Sequence, residues 1–313
     1  MPELNEAQSG ATKIGRLGEL FLQKGLLTEA QVEQISVEQR EKKLRFGDAA
    51  LALGLLSQAE IDSALGEQFG VGSKDLYNGS ADKKLRFFHA PFSKEAEEIR
   101  GLRSELLLKY GAQEKIRFAL ISPGTAEGKT YMAASLAIAL SQVGRKTLLI
   151  DADLRTGNLH ELFSLGVRDG LSSVLIGRLA MSDALIPLMP NLHILPAGPR
   201  APNPLEILRA PRLRELLDSY HDQFDAFVFD TCAASESSDA QMVAHQIGVA
   251  LLVAQKDLTV LSDLRQTRSD MQAAGVNVIG TIYNQYAPQG DSTGLRARIS
   301  ALLRRLPFFR RAV

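Results

Sequence analysis

The sequence predicts an α/β fold: a mostly parallel sheet flanked by helices, preceded by a small all-helical repeat domain. Three observations carry that expectation. The apolar run IRFALI, residues 116–121, enters a Gly-rich loop, and Gly128-Lys129-Thr130 then opens the helical pattern YMAASLAIAL. Further apolar runs at Thr147–Ile150, Phe224–Asp230, Val249–Ala254 and Val276–Tyr283 alternate with helical stretches, the pattern of parallel strands joined by right-handed crossovers. Residues 13–70 contain one short motif twice.

Composition narrows the class. The 313 residues are 45 % hydrophobic and 23 % charged, an ordinary globular balance with ample material for a core. The formal net charge is zero, so no global field draws the chain to a nucleic acid polymer or a membrane. Cys232 is the single cysteine, which excludes an intramolecular disulfide and suits a reducing compartment. The histidines at 89, 160, 193, 221 and 245 have no metal-ligand spacing. No run approaches the roughly 20 apolar residues of a membrane span. The N-terminus lacks the apolar stretch of a signal peptide. The expected location is cytoplasmic, peripheral to the inner membrane through a partner or the tail.

Residues 1–12 are polar and expected to be disordered. In the domain 13–70, Arg16-Leu17-Gly18, Gly25-Leu26-Leu27 and Gln39 recur 29 residues later as Arg45-Phe46-Gly47, Gly54-Leu55-Leu56 and Gln68. Each copy reads as a short helix stopped at Gly25 or Gly54, then a second helix capped by Thr28 or Ser57. These units resemble the N-terminal domain of type II secretion and pilus ATPases. In the MshE-type members such repeats bind cyclic di-GMP. That resemblance implies ligand contacts from Arg16, Leu17, Gly18, Gln39, Arg45, Gly47 and Gln68. A helical docking module, with the glycines as helix stops, accounts for the same residues. Phe46, Ser36 and Ala50 depart from the MshE pattern.

Residues 71–92 lose periodicity and read as a linker, with Phe87-Phe88 as an apolar anchor. A domain over 93–290 follows. It opens with a helix, Ser93–Tyr110, that carries Glu97, Arg100 and Arg103 on neighbouring turns.

Strand, loop and helix at 116–141 are the context of a phosphate-binding P-loop. Its amides and helix N-terminus would bind phosphate oxygens, Lys129 would reach the β and γ phosphates, and Thr130 would hold Mg²⁺. The first glycine of the standard spacing is displaced: Pro123 stands there and Gly124 follows. Asp151 and Asp153 lie at the end of the strand after the P-loop helix, where open α/β sheets bind ligands. FDAFVFD ends in Asp230, a Walker B candidate that would bind Mg²⁺ through water. A helix is expected over Leu205–Tyr220. The tail, 291–313, places Leu295, Ile299, Leu302, Leu303 and Leu306 on one helical face among six arginines, so an anionic membrane surface or a partner groove is expected to receive it.

The run Pro91–Asn284 resembles the cytoplasmic kinase domain of bacterial tyrosine kinases (BY-kinases) that work with polysaccharide co-polymerases. The resemblance rests on EEIRGLRSEL, SPGTAEGKT, LLIDADLRTG, LPAGPRAPNPLEIL, FDAFVFDT, SSDA and GTIYN. It implies a P-loop NTPase fold and ATP contacts from Gly124, Thr125, Ala126, Glu127, Gly128, Lys129, Thr130, Tyr131, Arg155 and Asn284. It also implies a Walker A′ set in Asp151, Asp153 and Arg155, and ring contacts between subunits at Glu97, Arg100 and Arg103. Lys129, Asp151, Asp153 and Asp230 become the catalytic set, with Asp151 orienting or deprotonating the acceptor hydroxyl. Thr130, Asp151, Asp153 and Asp230 become the metal set. With the repeats in front, the layout is similar to EpsG-type chain-length determinant proteins. The implied partner is a membrane polysaccharide co-polymerase. Two features depart from the family. The tail beyond Tyr286 has no tyrosine, and Asp230-Thr231-Cys232-Ala233 replaces the usual D-T-P-P. Gly124 stands where MinD and ParA relatives carry a signature lysine, which speaks against a DNA-partitioning or division-site ATPase. A nucleotide-dependent assembly switch without kinase activity remains the alternative reading.

Overall fold

The computed structural model describes residues 16–58, 60, 61, 64, 85–110, 115–166, 168–209 and 212–285. The tail, Gln68 and Tyr286 lie outside them, as does the Arg16 side chain. Seven strands form one sheet: β1 (Ile116–Ile121), β2 (Thr147–Asp151), β3 (Ile186–Met189), β4 (Leu192–Leu195), β5 (Ala226–Asp230), β6 (Val249–Gln255) and β7 (Asn277–Asn284), in the order β3-β4-β2-β5-β1-β6-β7. Every pairing is parallel except β3 with β4. β2 and β5 are buried at every position, as strands covered on both faces must be.

Two apolar layers sandwich the sheet. One contains the helices Lys94–Tyr110 and Lys129–Ser141. The second of these is buried nearly all round, because it lies between the sheet and the first. The other layer contains the helices Arg212–Ser219, Asp239–Ile247 and Leu261–Ala273. Registers Leu120↔Asp230 and Asp151↔Asp230 bring the carboxyl ends of β1, β2 and β5 side by side.

Two expectations change. The helix expected over Leu205–Tyr220 is two helices, Pro204–Arg209 and Arg212–Ser219. The sequence between them carries a proline at 211, which has no N–H to offer a helical ladder. The edge strand β3 was not anticipated, since Pro187 and a register shift hide it.

The first repeat forms a helical hairpin of Arg16–Gln23 and Glu29–Lys42, and the second opens with the helix Phe46–Ala52. Gly25 and Gly54 stop the helices at φ 66° and 65°. Thr28 and Gln31 form a capping box, and Ser57 and Glu60 exchange the equivalent bonds. A separate core, including Phe21, Val32, Ile35 and Leu56, holds the hairpins together. Gly18 is buried, Leu17 and Gln39 are half-buried and Arg45 is exposed. A Cβ on Gly47 would stand 3.2 Å from the Ile61 methyl, so this glycine serves helix packing. Among the described residues, no helix is long and apolar enough to cross a membrane.

Candidate nucleotide site

The loop between β1 and the helix Lys129–Ser141 is folded by its own polar groups. Ser122 Oγ donates to the Gly124 carbonyl at 2.6 Å. Lys129 Nζ donates to Ser122 Oγ at 2.8 Å and to the Gly124 carbonyl at 3.4 Å. Ala126 and Gly128 have positive φ, 57° and 94°. A Cβ on Gly128 would lie 2.3 Å from Asn284 Nδ2, so the position admits only glycine. Glu127 is buried and acts as the keystone. Its Oε2 accepts the Gly124 N–H at 2.9 Å and its Oε1 accepts the Thr259 hydroxyl at 2.5 Å. Asn284 closes the ring, donating to the Glu127 carbonyl at 3.2 Å and to Gln255 Oε1 at 2.7 Å.

The segment after β5 is stitched to this loop. Thr231 Oγ1 donates to the Leu120 carbonyl, and the N–H groups of Ala234 and Ser235 reach the carbonyls of Ser122 and Pro123. A cleft of 860 Å³ opens over these strand ends. Thr125, Ala126, Gly128, Lys129, Thr130 and Tyr131 line one side of it, Asp153, Thr156 and Glu161 another, and Lys256, Leu258 and Asn284 a third.

The acidic residues occupy different depths. Asp151 is fully buried. Its Oδ1 accepts the Asp153 N–H at 3.2 Å and its Oδ2 the Leu159 N–H at 3.1 Å. Burial, then the neighbouring Asp230, holds its carboxyl well above the usual range. Asp230 is 2 % exposed and its Oδ1 has no hydrogen-bond partner among the described residues. Burial pushes it up to about 7, while the Thr130 hydroxyl and the Lys129 ammonium pull back. Asp153 lines the cleft and caps its own turn, accepting from the N–H groups of Arg155 and Thr156. Among the described residues, no three His, Cys, Asp or Glu side chains are grouped so as to hold a metal ion by themselves. The residues do suit a metal held jointly with phosphates. An orphaned buried carboxylate oxygen beside a threonine hydroxyl, at the foot of an anion cradle, is a donor pair that would suit Mg²⁺.

The remaining expected residues are placed as follows. Arg155 forms a bidentate pair with buried Asp239, at 2.6 and 3.2 Å. On the helix Lys94–Tyr110, Glu97 is exposed. Arg100 bonds Glu97 and the Pro91 carbonyl and lies 6.0 Å from the ring centres of Phe87 and Phe92. Arg103 leans on its own molecule, 3.5 Å from the Ala139 carbonyl. Thr231, Gln255 and Thr259 were missed. A polar residue at the end of a buried strand or directly after it, as at 255 and 231, was the available cue.

Loop, cradle and strand-end carboxylates define a P-loop nucleotide-binding protein. A family model for the CobQ/CobB/MinD/ParA nucleotide binding domain matches residues 118–313. The Staphylococcus aureus protein named as the tyrosine-protein kinase CapB is 30 % identical over 196 residues, 62 % of this chain and 86 % of CapB. The tyrosine-protein kinase Etk of Escherichia coli is 31 % identical over 195 residues, 62 % of this chain but 27 % of Etk. The solved kinase domain of Escherichia coli ETK superposes with a TM-score of 0.62 at 29 % identity, over 66 % of this chain and 82 % of that domain. The chain belongs to the CobQ/CobB/MinD/ParA nucleotide-binding family and, within it, to the bacterial tyrosine-protein kinases of the CapB and Etk kind.

Proposed function

We infer that the chain binds Mg·ATP in this cleft and transfers the terminal phosphoryl group to a protein tyrosine, regulating exopolysaccharide assembly with a membrane co-polymerase. The observation that carries this reading is the orphaned Asp230 Oδ1 below a loop whose Gly128 leaves no room for a side chain. The names of the relatives give the direction of the chemistry. Lys129 and the amides of residues 124–130 hold the phosphates. Thr130 and Asp230 hold Mg²⁺, which when bound neutralises charge on the β and γ phosphates. The acceptor oxygen forms a bond to phosphorus as the bond to ADP breaks, and the acceptor proton passes to a carboxylate. Asp151 is fully buried beneath the cleft whereas Asp153 lines it, so Asp153 is the carboxylate presented to an acceptor.

Glu97 is the exposed member of the proposed ring contact, and Arg100 shapes the helix that presents it. The repeat domain is the proposed docking module. Titration with cyclic di-GMP decides between docking alone and ligand-gated docking.

The test uses labelled ATP, the full chain and Lys129→Met. Phosphotyrosine on the chain or a co-polymerase, lost in the variant, supports the kinase. Phosphate release alone, lost in the variant, supports an assembly switch. Equal turnover in wild type and variant overturns the site.

A further inference from the structure

Tyr131 directly follows Thr130 in the first turn of the phosphate-binding helix and borders the cleft. Its phenol points away from the nucleotide side into a second contact. The hydroxyl donates to Glu95 Oε1 at 2.7 Å and accepts the Phe87 N–H at 3.2 Å. Glu95 lies on the helix Lys94–Tyr110 and is 3.9 Å from Arg86. Phe87 belongs to the short helix Arg86–His89.

The segment 85–93 leads into the helix Lys94–Tyr110 and lies as a strap against the nucleotide-binding fold. Leu85, Phe87 and Phe88 are buried in the layer that contains the phosphate-binding helix. Arg100 grips the same strap through the Pro91 carbonyl and the rings of Phe87 and Phe92. Only Tyr131, among these contacts, also lies in the cradle. Burial and the Glu95 carboxylate push its phenol upward, so it stays protonated and able to donate across the working pH range.

We propose that Tyr131 is a positioning residue that couples the phosphate-binding turn to the strap, so that nucleotide occupancy and strap closure strengthen each other. The inference rests on the nucleotide-binding reading above. Its physical basis is reciprocity: a hydroxyl bonded to the strap fixes the first helical turn, and phosphates on that turn hold the hydroxyl against the strap. A phenol bridging a carboxylate and a backbone N–H is enough for a coupling of about tenfold.

The test is hydrogen exchange of the full chain, with and without Mg·ADP, for wild type, Tyr131→Phe and Glu95→Gln. In wild type, Mg·ADP slows exchange of the amides at 86–93. In Tyr131→Phe, which keeps the ring, those amides exchange about tenfold faster without nucleotide, Mg·ADP no longer protects them, and Mg·ADP binds about tenfold more weakly. Glu95→Gln, which leaves a weaker acceptor and no change in the cradle, gives the same effects at smaller size. A wild-type chain that binds Mg·ADP without slowing the strap overturns the coupling and leaves the proposed function standing. So does a Tyr131→Phe chain with wild-type affinity and protection. A wild-type chain that binds no nucleotide overturns both.

Discussion

Asp230→Asn tests the electrostatics at the foot of the cradle. The native carboxyl is raised from 3.8 to about 7. Between those values the folded chain keeps a proton that the unfolded chain releases, so stability falls as pH rises through that window. At 1.36 kcal/mol per pH unit the full span is worth ~4 kcal/mol, of which about 2 kcal/mol is lost between pH 5.5 and 8. Asp151 is pushed the same way and adds to the slope. Asparagine matches the shape without the charge. The variant is therefore more stable than wild type at pH 8 in EDTA, by about 2 kcal/mol, with a flatter pH profile. It also loses the stabilisation that Mg·ADP gives wild type, because the cation favours the carboxylate it would bind. Urea unfolding at pH 5.5 and 8, with EDTA or with Mg·ADP, measures all of this. Wild type equally stable at both pH values in EDTA, or a variant keeping the full wild-type slope, would refute the assignment of an uncompensated buried carboxylate.

Gly128→Ala forces a side chain toward the Asn284 amide at φ 94°, so Mg·ADP affinity measured calorimetrically falls at least tenfold. Phe118→Ala empties a fully buried site on central β1 and costs about 3–5 kcal/mol in urea unfolding. Arg155→Lys loses the fork that matches Asp239; because the arginine is 41 % exposed, the cost is about 1 kcal/mol, with thermal denaturation as the readout.

The apolar runs were enough to place β1, β2, β5 and β6, because buried parallel strands are apolar almost throughout; β7, a mostly unburied edge strand, was legible from the apolar residues of 276–283 alone. β3 escaped, since four residues interrupted by a proline have no periodicity to detect. Glu127 and Lys129 were legible from loop spacing. Their partners were not: Thr259 lies 132 positions from Glu127, and only the β6–β7 pairing brings Gln255 and Asn284 together. Asp151 and Asp153 were visible as neighbours on one strand end, but not their division of labour. Which carboxylate stays buried depends on the Leu159 N–H, supplied by a turn that sequence patterning does not reveal. The Phe87-Phe88 pair stood out as apolar; its connection to the cradle through Tyr131 required the packed helices.

The middle of the sheet joins distant parts of the chain. Thr231 hydrogen-bonds Leu120 across 111 positions, and among the described residues β1 pairs only with β5 and β6, both later in the chain. Such non-local closure is slow, because the intervening loop loses its freedom before any pairing rewards it. On the ribosome, β1 must therefore wait for its neighbouring strands until β5 and then β6 have been made. Newly made chains should be most vulnerable to aggregation in that interval, and chaperone dependence should concentrate there.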